Sequence, residues 1–210
     1  TTPLADHPHI GYGSQKGAKL VLGTVPVEAD GSAYWEQPVN MPILFHALDE
    51  KGCAVQGMRS VTYTAPGETL MCNGCHEQRV GSARPPPRAL PLAMRRAASK
   101  IAPDMDGTAP FSFPRLVQPV LDAKCAGCHG EKREGKAPDL RRGDFAKHSD
   151  CWFTSFCNLK PFVKFYDSAS WVEPYTIPGQ FGAKGSKLFA MLAAGHGKVK
   201  LSDDEMLRLT

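Results

Sequence analysis

Apolar residues in the first third of the chain fall in short runs separated by turn formers, a pattern that predicts strands. Leu20–Val27 is apolar and β-branched, and Asp30-Gly31-Ser32 is a turn. Ala33–Trp35, Ile43–Leu48 and Val61–Thr64 are further strand candidates, with Asp49–Gly52 as another turn. The reading is a small antiparallel sheet or sandwich ending at Cys72. Residues 81–110 hold Pro85–Pro87, Pro91, Pro103 and Pro110 with little apolar periodicity, so they read as an extended surface linker.

The period changes at Phe113. Pro114 suits the first turn of a helix, and Leu116, Val117, Val120 and Leu121 recur at helical spacing up to Cys125. Residues 130–180 are rich in Gly, Pro and aromatics and read as irregular. Lys187–Ala194 is helical, with Leu188, Met191 and Leu192 on one face. After Gly195-His196-Gly197, Ser202 and Glu205 form the signature of a capping box that opens a last helix. The fold class is mixed α+β. A small antiparallel β domain (1–80) and a Pro-rich linker (81–110) precede an α-helical domain with much irregular loop (111–210).

Two motifs, Cys72-Asn-Gly-Cys75-His76 and Cys125-Ala-Gly-Cys128-His129, point to one haem on the β domain and one on the C-terminal domain, which with its helix running into Cys125 reads as class I cytochrome c-like. Two thiols spaced by two residues reach the two porphyrin vinyl groups, and the adjoining imidazole lies beneath the iron. The competing reading is a zinc site or a pair of redox disulfides. Zinc ribbons separate their Cys pairs by about 15–20 residues, whereas 49 lie between Cys75 and Cys125. A thioredoxin-like site needs a βαβ setting that is missing. The sequence therefore predicts two covalently bound haem c groups.

In class I cytochrome c domains the second axial ligand comes from a loop before the last helix, the place His196 holds. The bland alternative is a solvated loop histidine. The site favours ligation opposite His129, and two imidazoles close both axial positions to substrate. For the first haem, His76 is the proximal ligand. Distal candidates are His46, which heads the order, then His7, His9, Met58 and Met71; a five-coordinate, open iron is the alternative. Cys151 and Cys157 flank an aromatic stretch and are expected to pair. Cys53 reads as a small core residue. Phe153–Trp171, with six aromatic residues, reads as packing around a porphyrin face rather than as a protein-contact patch.

Composition narrows the function. With 42% hydrophobic and 22% charged residues the chain is globular, and a net charge of +4 spread along it gives no support to nucleic-acid binding. No apolar run reaches the ~20 residues of a membrane span. Residues 1–20 lack the pattern of a secretory leader, yet haem is attached outside the cytoplasm. The expectation is a mature chain or, better, a piece of a longer protein, in a periplasmic or equivalent compartment.

Gly23-Thr24-Val25-Pro26-Val27-Glu28-Ala29-Asp30-Gly31-Ser32-Ala33-Tyr34 resembles a phrase of the hydrazine synthase α-subunit family and of related multidomain planctomycete cytochromes. Ala47–Glu50, Met58–Ser60, Pro66–Leu70 leading into the first motif, Phe113–Leu121, and Gly195-His196 followed by Val199–Ser202 extend the likeness over nearly the whole chain. The resemblance implies a middle domain with one haem, then a C-terminal domain with a bis-His haem that uses His196. It also implies, at the first haem, a tyrosine ligand four residues past the motif histidine, leaving that histidine to bind zinc. Val80 stands there, and no tyrosine occurs between His76 and Tyr166. The combined reading is a di-haem module passing electrons to redox partners or other subunits of a larger complex. Its alternatives are a catalytic subunit with an open first haem acting on nitrogen compounds, and a module in which haem is mainly a structural staple.

Overall fold

The computed structural model describes residues 20–58, 61–73, 89–104, 109–131, 135–143, 153–164 and 177–210. They divide into two compact units, one built from 20–45 with 58–110, the other from 46–57 with 111–210. Against the boundaries expected at 80 and 110, the hairpin at 46–57 joins the C-terminal residues, and 89–104 joins the β-like segment.

In the first unit the expected strands meet as isolated bridges rather than as a sheet. Thr24 pairs with Ala102, Trp35 with Ser99, and Ile43 with Thr62. The stretch expected as an extended linker supplies one partner in two of these three bridges. Its residues Leu92–Arg95 form a 3-10 turn with Ala93 fully buried. That turn is capped from a distance. The Asp30 carboxylate accepts the Leu92 N–H at 2.8 Å, and the Ser32 hydroxyl accepts the Ala93 N–H at 3.0 Å. Those hydrogen bonds, Leu92 first and then Ser32, hold the Asp30 carboxyl below its ordinary range. Arg96 pairs with Glu28 at 2.7 Å. Gly23 has φ +134°, and a Cβ there would run into the Ala102 carbonyl, so the Thr24–Ala102 pairing needs glycine. Trp35 and Phe45 meet edge to face at 5.1 Å.

The second unit starts with the antiparallel strands β1 (His46–Leu48) and β2 (Ala54–Gly57), which break register at Ala47/Leu48. Their turn is closed by Asp49, whose carboxylate accepts from the N–H groups of Lys51 and Cys53 and pairs with Lys184 at 2.7 Å. Cys53 is fully buried behind it, and burial, then the Asp49 charge, pushes its thiol up.

The helices follow: α1 (Phe113–Leu116), α2 (Gln118–Lys124), α3 (Thr154–Leu159), α4 (Gly182–Gly185), α5 (Lys187–Ala194) and α6 (Asp203–Arg208). The single helix expected before Cys125 is split at Val117 because Pro119 has no N–H to offer the Arg115 carbonyl. Helix α3 lies within the stretch read as irregular. It opens without a capping side chain on Thr-Ser-Phe, residues of middling helix propensity, so nothing local announces it. Helices α5 and α6 fall where expected, and Ser202 and Glu205 close a complete capping box. The core is Leu121, Leu140 and Leu159, with Phe113, Val117, Cys125, Leu188 and Leu209 packed around it. Phe156 meets Phe113 edge to face at 5.2 Å, and Arg142 covers the Phe153 ring at 4.7 Å. Cys157 is disulfide-bonded; Cys151, the expected partner, lies outside the described residues.

Leu121 is 1% exposed at the centre of this small core. Leu121→Ala is expected to lower unfolding free energy by about 2–5 kcal/mol, read from the denaturant midpoint at unchanged slope.

Candidate haem site

Helix α2 delivers the second motif. The Cys125 N–H bonds back to the Leu121 carbonyl, and the turn continues with the N–H groups of Cys128 and His129 on the Cys125 carbonyl at 3.1 and 2.8 Å. The two thiols thereby leave the helix end on one tight turn. Both are free; Cys128 is exposed and Cys125 half-buried. Burial, with Cys128 adding to it, pushes the Cys125 thiol up.

His129 Nδ1 lies 3.0 Å from the Pro138 carbonyl oxygen. A carbonyl only accepts, so Nδ1 carries the proton and Nε2 presents its lone pair. The same segment returns a bond, from the Leu140 N–H to the His129 carbonyl at 2.8 Å. Asn158 of α3 donates to the Asp139 carbonyl at 2.8 Å, and Arg141 ties the Asp139 and Glu131 carboxylates, each at 2.7 Å. Thus Pro138–Leu140 is a braced backstop for the imidazole.

His196 faces this arrangement from the loop between α5 and α6. Its ring centre is 5.8 Å from that of His129, with the ring planes 36° apart. Gly195 and Gly197 on either side have φ +93° and +58°, and nothing lies where a Cβ would stand. The chain can therefore double back through His196 with its backbone close to a flat ligand. Two imidazoles sharing one metal ion at about 2.0–2.1 Å per nitrogen have ring centres roughly 6 Å apart. The His129–His196 pair fits that span. A cleft of about 180 Å³ beside His196 is lined by Leu192, Ala193, Val199, Leu201 and Met206, with Ser202 and Asp203 at its polar edge. Those side chains suit the face of a porphyrin better than a hydrated ion.

A strap joins the two ligand segments. Lys124, next to Cys125, donates to the Lys200 carbonyl and pairs with Glu205, both at 3.3 Å. Glu205 in turn accepts the Ser202 N–H at 2.9 Å. The loop carrying His196 is thus fastened to the end of the helix carrying the motif.

The first motif is less completely described. Cys72 is an exposed free thiol in the first unit. Cys75 and His76 lie outside the described residues, as do His7, His9, Val80 and His148. His46 lies on β1 opposite Gly57 in the other unit, its ring over that glycine, where a Cβ would approach Nδ1 to 2.5 Å. Met71 is exposed beside Cys72. Among the described residues no three His, Cys, Asp or Glu side chains gather as a metal cluster. The parts of the site that sequence patterns do not reveal are Pro138, Asn158 and Gln118. The one signal for them is a polar residue, Gln118, set between the apolar positions Leu116, Val117, Val120 and Leu121.

With this geometry in view, the comparisons with known proteins fall on the other end of the chain. Residues 9–77 match the family model of the hydrazine synthase alpha subunit middle domain. The chain is 36% identical over 56 residues to hydrazine synthase subunit alpha of Kuenenia stuttgartiensis, which is 27% of this chain. Over that stretch the chain is hydrazine synthase alpha-like. It spans 7% of the length of that relative, and no solved structure matches it. The hydrazine synthase alpha-like segment runs through the first Cys-x-x-Cys-His motif and stops at residue 77. The paired imidazoles of His129 and His196 lie beyond it.

The Ser202 N–H, and to a lesser degree Lys124, holds the Glu205 carboxyl below its ordinary value of 4.5. A depressed carboxyl adds stability above that value and loses it as pH falls through the native one. Acidification from pH 6 to 3 should therefore loosen the 196–205 loop, with amide protection factors at 199–202 (exchange relative to the intrinsic rate at each pH) falling. In Glu205→Gln that fall should be blunted.

Proposed function

We propose that this chain is a di-haem c-type cytochrome module that carries electrons inside a larger, extracytoplasmic, hydrazine synthase-like redox assembly. The observation that carries the reading is the His129–His196 pair, 5.8 Å apart, directly after two free cysteines on one turn. On this reading Cys125 and Cys128 would hold the porphyrin through thioethers, and His129 and His196 would both ligate its iron. Bound there, haem would supply a one-electron iron couple. The protein's part is to fix both imidazoles, line one side of the site with the Leu192–Met206 cleft, and keep substrates from the iron. Cys72, Cys75 and His76 would hold the second haem in the β-rich unit, and the C-terminal unit is read as class I cytochrome c-like. Other subunits of the assembly are the natural electron donors and acceptors.

A second reading, a catalytic haem subunit with an open first site, draws on the family match through residue 77. Val80, at the position where the resemblance calls for tyrosine, weighs against it.

The intact mass of the extracytoplasmically expressed chain should exceed the polypeptide by two haem groups. A bare or zinc-loaded mass overturns the proposal. In the ferrous state, carbon monoxide should leave the C-terminal haem unchanged, and its binding at the first haem would favour the catalytic reading. His196→Ala should keep the haem mass, admit carbon monoxide and raise the potential, because a ligand that stabilises ferric iron is gone. A variant that stays low-spin and excludes carbon monoxide removes His196 from the ligand set.

A further inference from the structure

The segment that backs His129 is fixed from behind by a polar group that the ligation scheme does not use. Gln118 is 2% exposed and Ser155 is fully buried, both beside the leucine core. The Gln118 amide donates from Nε2 to Asp122 at 2.8 Å and to the Leu140 carbonyl at 3.1 Å. Its Oε1 accepts from the Ser155 hydroxyl at 2.6 Å. Both amide hydrogens and the amide oxygen are therefore engaged, and the register of α2, α3 and residue 140 is set together.

Apolar side chains of the same size would fill this space without the desolvation cost of an amide and a hydroxyl. What the polar pair adds is position. Leu140, whose carbonyl Gln118 holds, is the residue whose N–H holds the His129 carbonyl. Two residues earlier, the Pro138 carbonyl accepts the hydrogen bond from His129 Nδ1.

We infer that Gln118, braced by Ser155, is a positioning residue for the proximal imidazole of His129, an inference that rests on the haem reading above. It holds 138–140 so that the Pro138 carbonyl stays aimed at Nδ1, which fixes the ring plane and keeps the ligand basic. Loss of Gln118 lets that acceptor drift. The imidazole turns and becomes a weaker donor, so ferric iron is less favoured and the potential rises.

The test uses the holoprotein and three variants. In Gln118→Met both haems should remain by mass. The paramagnetic resonance g-values of the ferric C-terminal haem, which report the angle between the two imidazole planes, should shift. The reduction equilibrium should move by about threefold or more, roughly 28 mV for a one-electron couple. Val120→Ala is the control: Val120 is buried on the same helix as Gln118 but lies outside the cluster that holds Leu140, and its truncation should leave both signals at wild-type values. Ser155→Ala should shift them in the same sense as Gln118→Met but less, and carries the test alone if Gln118→Met does not accumulate. Haem in place with unchanged g-values and potential, or an equal shift in Val120→Ala, overturns the positioning role. Absence of haem from the wild type overturns the haem reading itself.

Discussion

The C-terminal unit depends on one constraint: the short segment Pro138–Leu140 has to lie against His129 with its three carbonyls and the Leu140 N–H all engaged. Its carbonyls at 138, 139 and 140 accept from His129, Asn158 and Gln118 in turn, and the Leu140 N–H returns to the His129 carbonyl. Buried backbone polar groups left unpaired cost about as much as a lost hydrogen bond, so these partners leave the segment one arrangement. Leu140 then points into the core with Leu121 and Leu159. The placing of α2 and α3 about this segment and the tautomer of one imidazole are thus settled by the same few bonds.

The opposing ligand is held by different physics. His196 sits between two glycines with positive φ, so its loop is shaped by backbone permissiveness rather than by packing. Its placement is inherited from its neighbours: the capping box at Ser202 fixes the start of α6, and Lys124 ties that start to the end of α2. One imidazole is rigidly backed while the other hangs from a fastened loop. On the proposed reading that asymmetry suits covalent attachment, since the thioethers hold the porphyrin on the rigid side. On that reading two thioether anchors would join a core of three leucines and the disulfide at Cys157 in holding together a unit whose apolar packing is small.

What the sequence makes legible follows from range. The Cys-x-x-Cys-His motifs, the Ser202–Glu205 box and the Leu188–Leu192 face are local patterns, and local patterns can be read without the tertiary context. Pro119 was equally visible, yet apolar spacing across it argued for an unbroken helix, and the missing N–H won. The strands at 20–27, 33–35 and 61–64 carry the right residues, but their partners lie far along the chain, so they meet as single bridges. Residues 89–104 looked like linker because proline and charge dominate them. Their structure comes from bonds to residues some sixty positions earlier, which no window of sequence contains. Gln118 could be seen as out of place but not explained, because Ser155 and Leu140 give it meaning only in three dimensions.

The phrase that carries the family likeness can now be read physically. Gly23 admits the Ala102 carbonyl, Thr24 bridges Ala102, and Glu28 holds Arg96. Asp30 and Ser32 cap the turn at Leu92, and the Tyr34 carbonyl accepts the Ser99 N–H at 2.9 Å. Six of the twelve residues of the phrase thus anchor 89–104, a segment beyond the last matched residue, 77. The bonds these six make constrain the architecture of the first unit. Likeness in the phrase therefore argues for a like scaffold over the matched stretch, whereas what is bound or done there is decided by other residues.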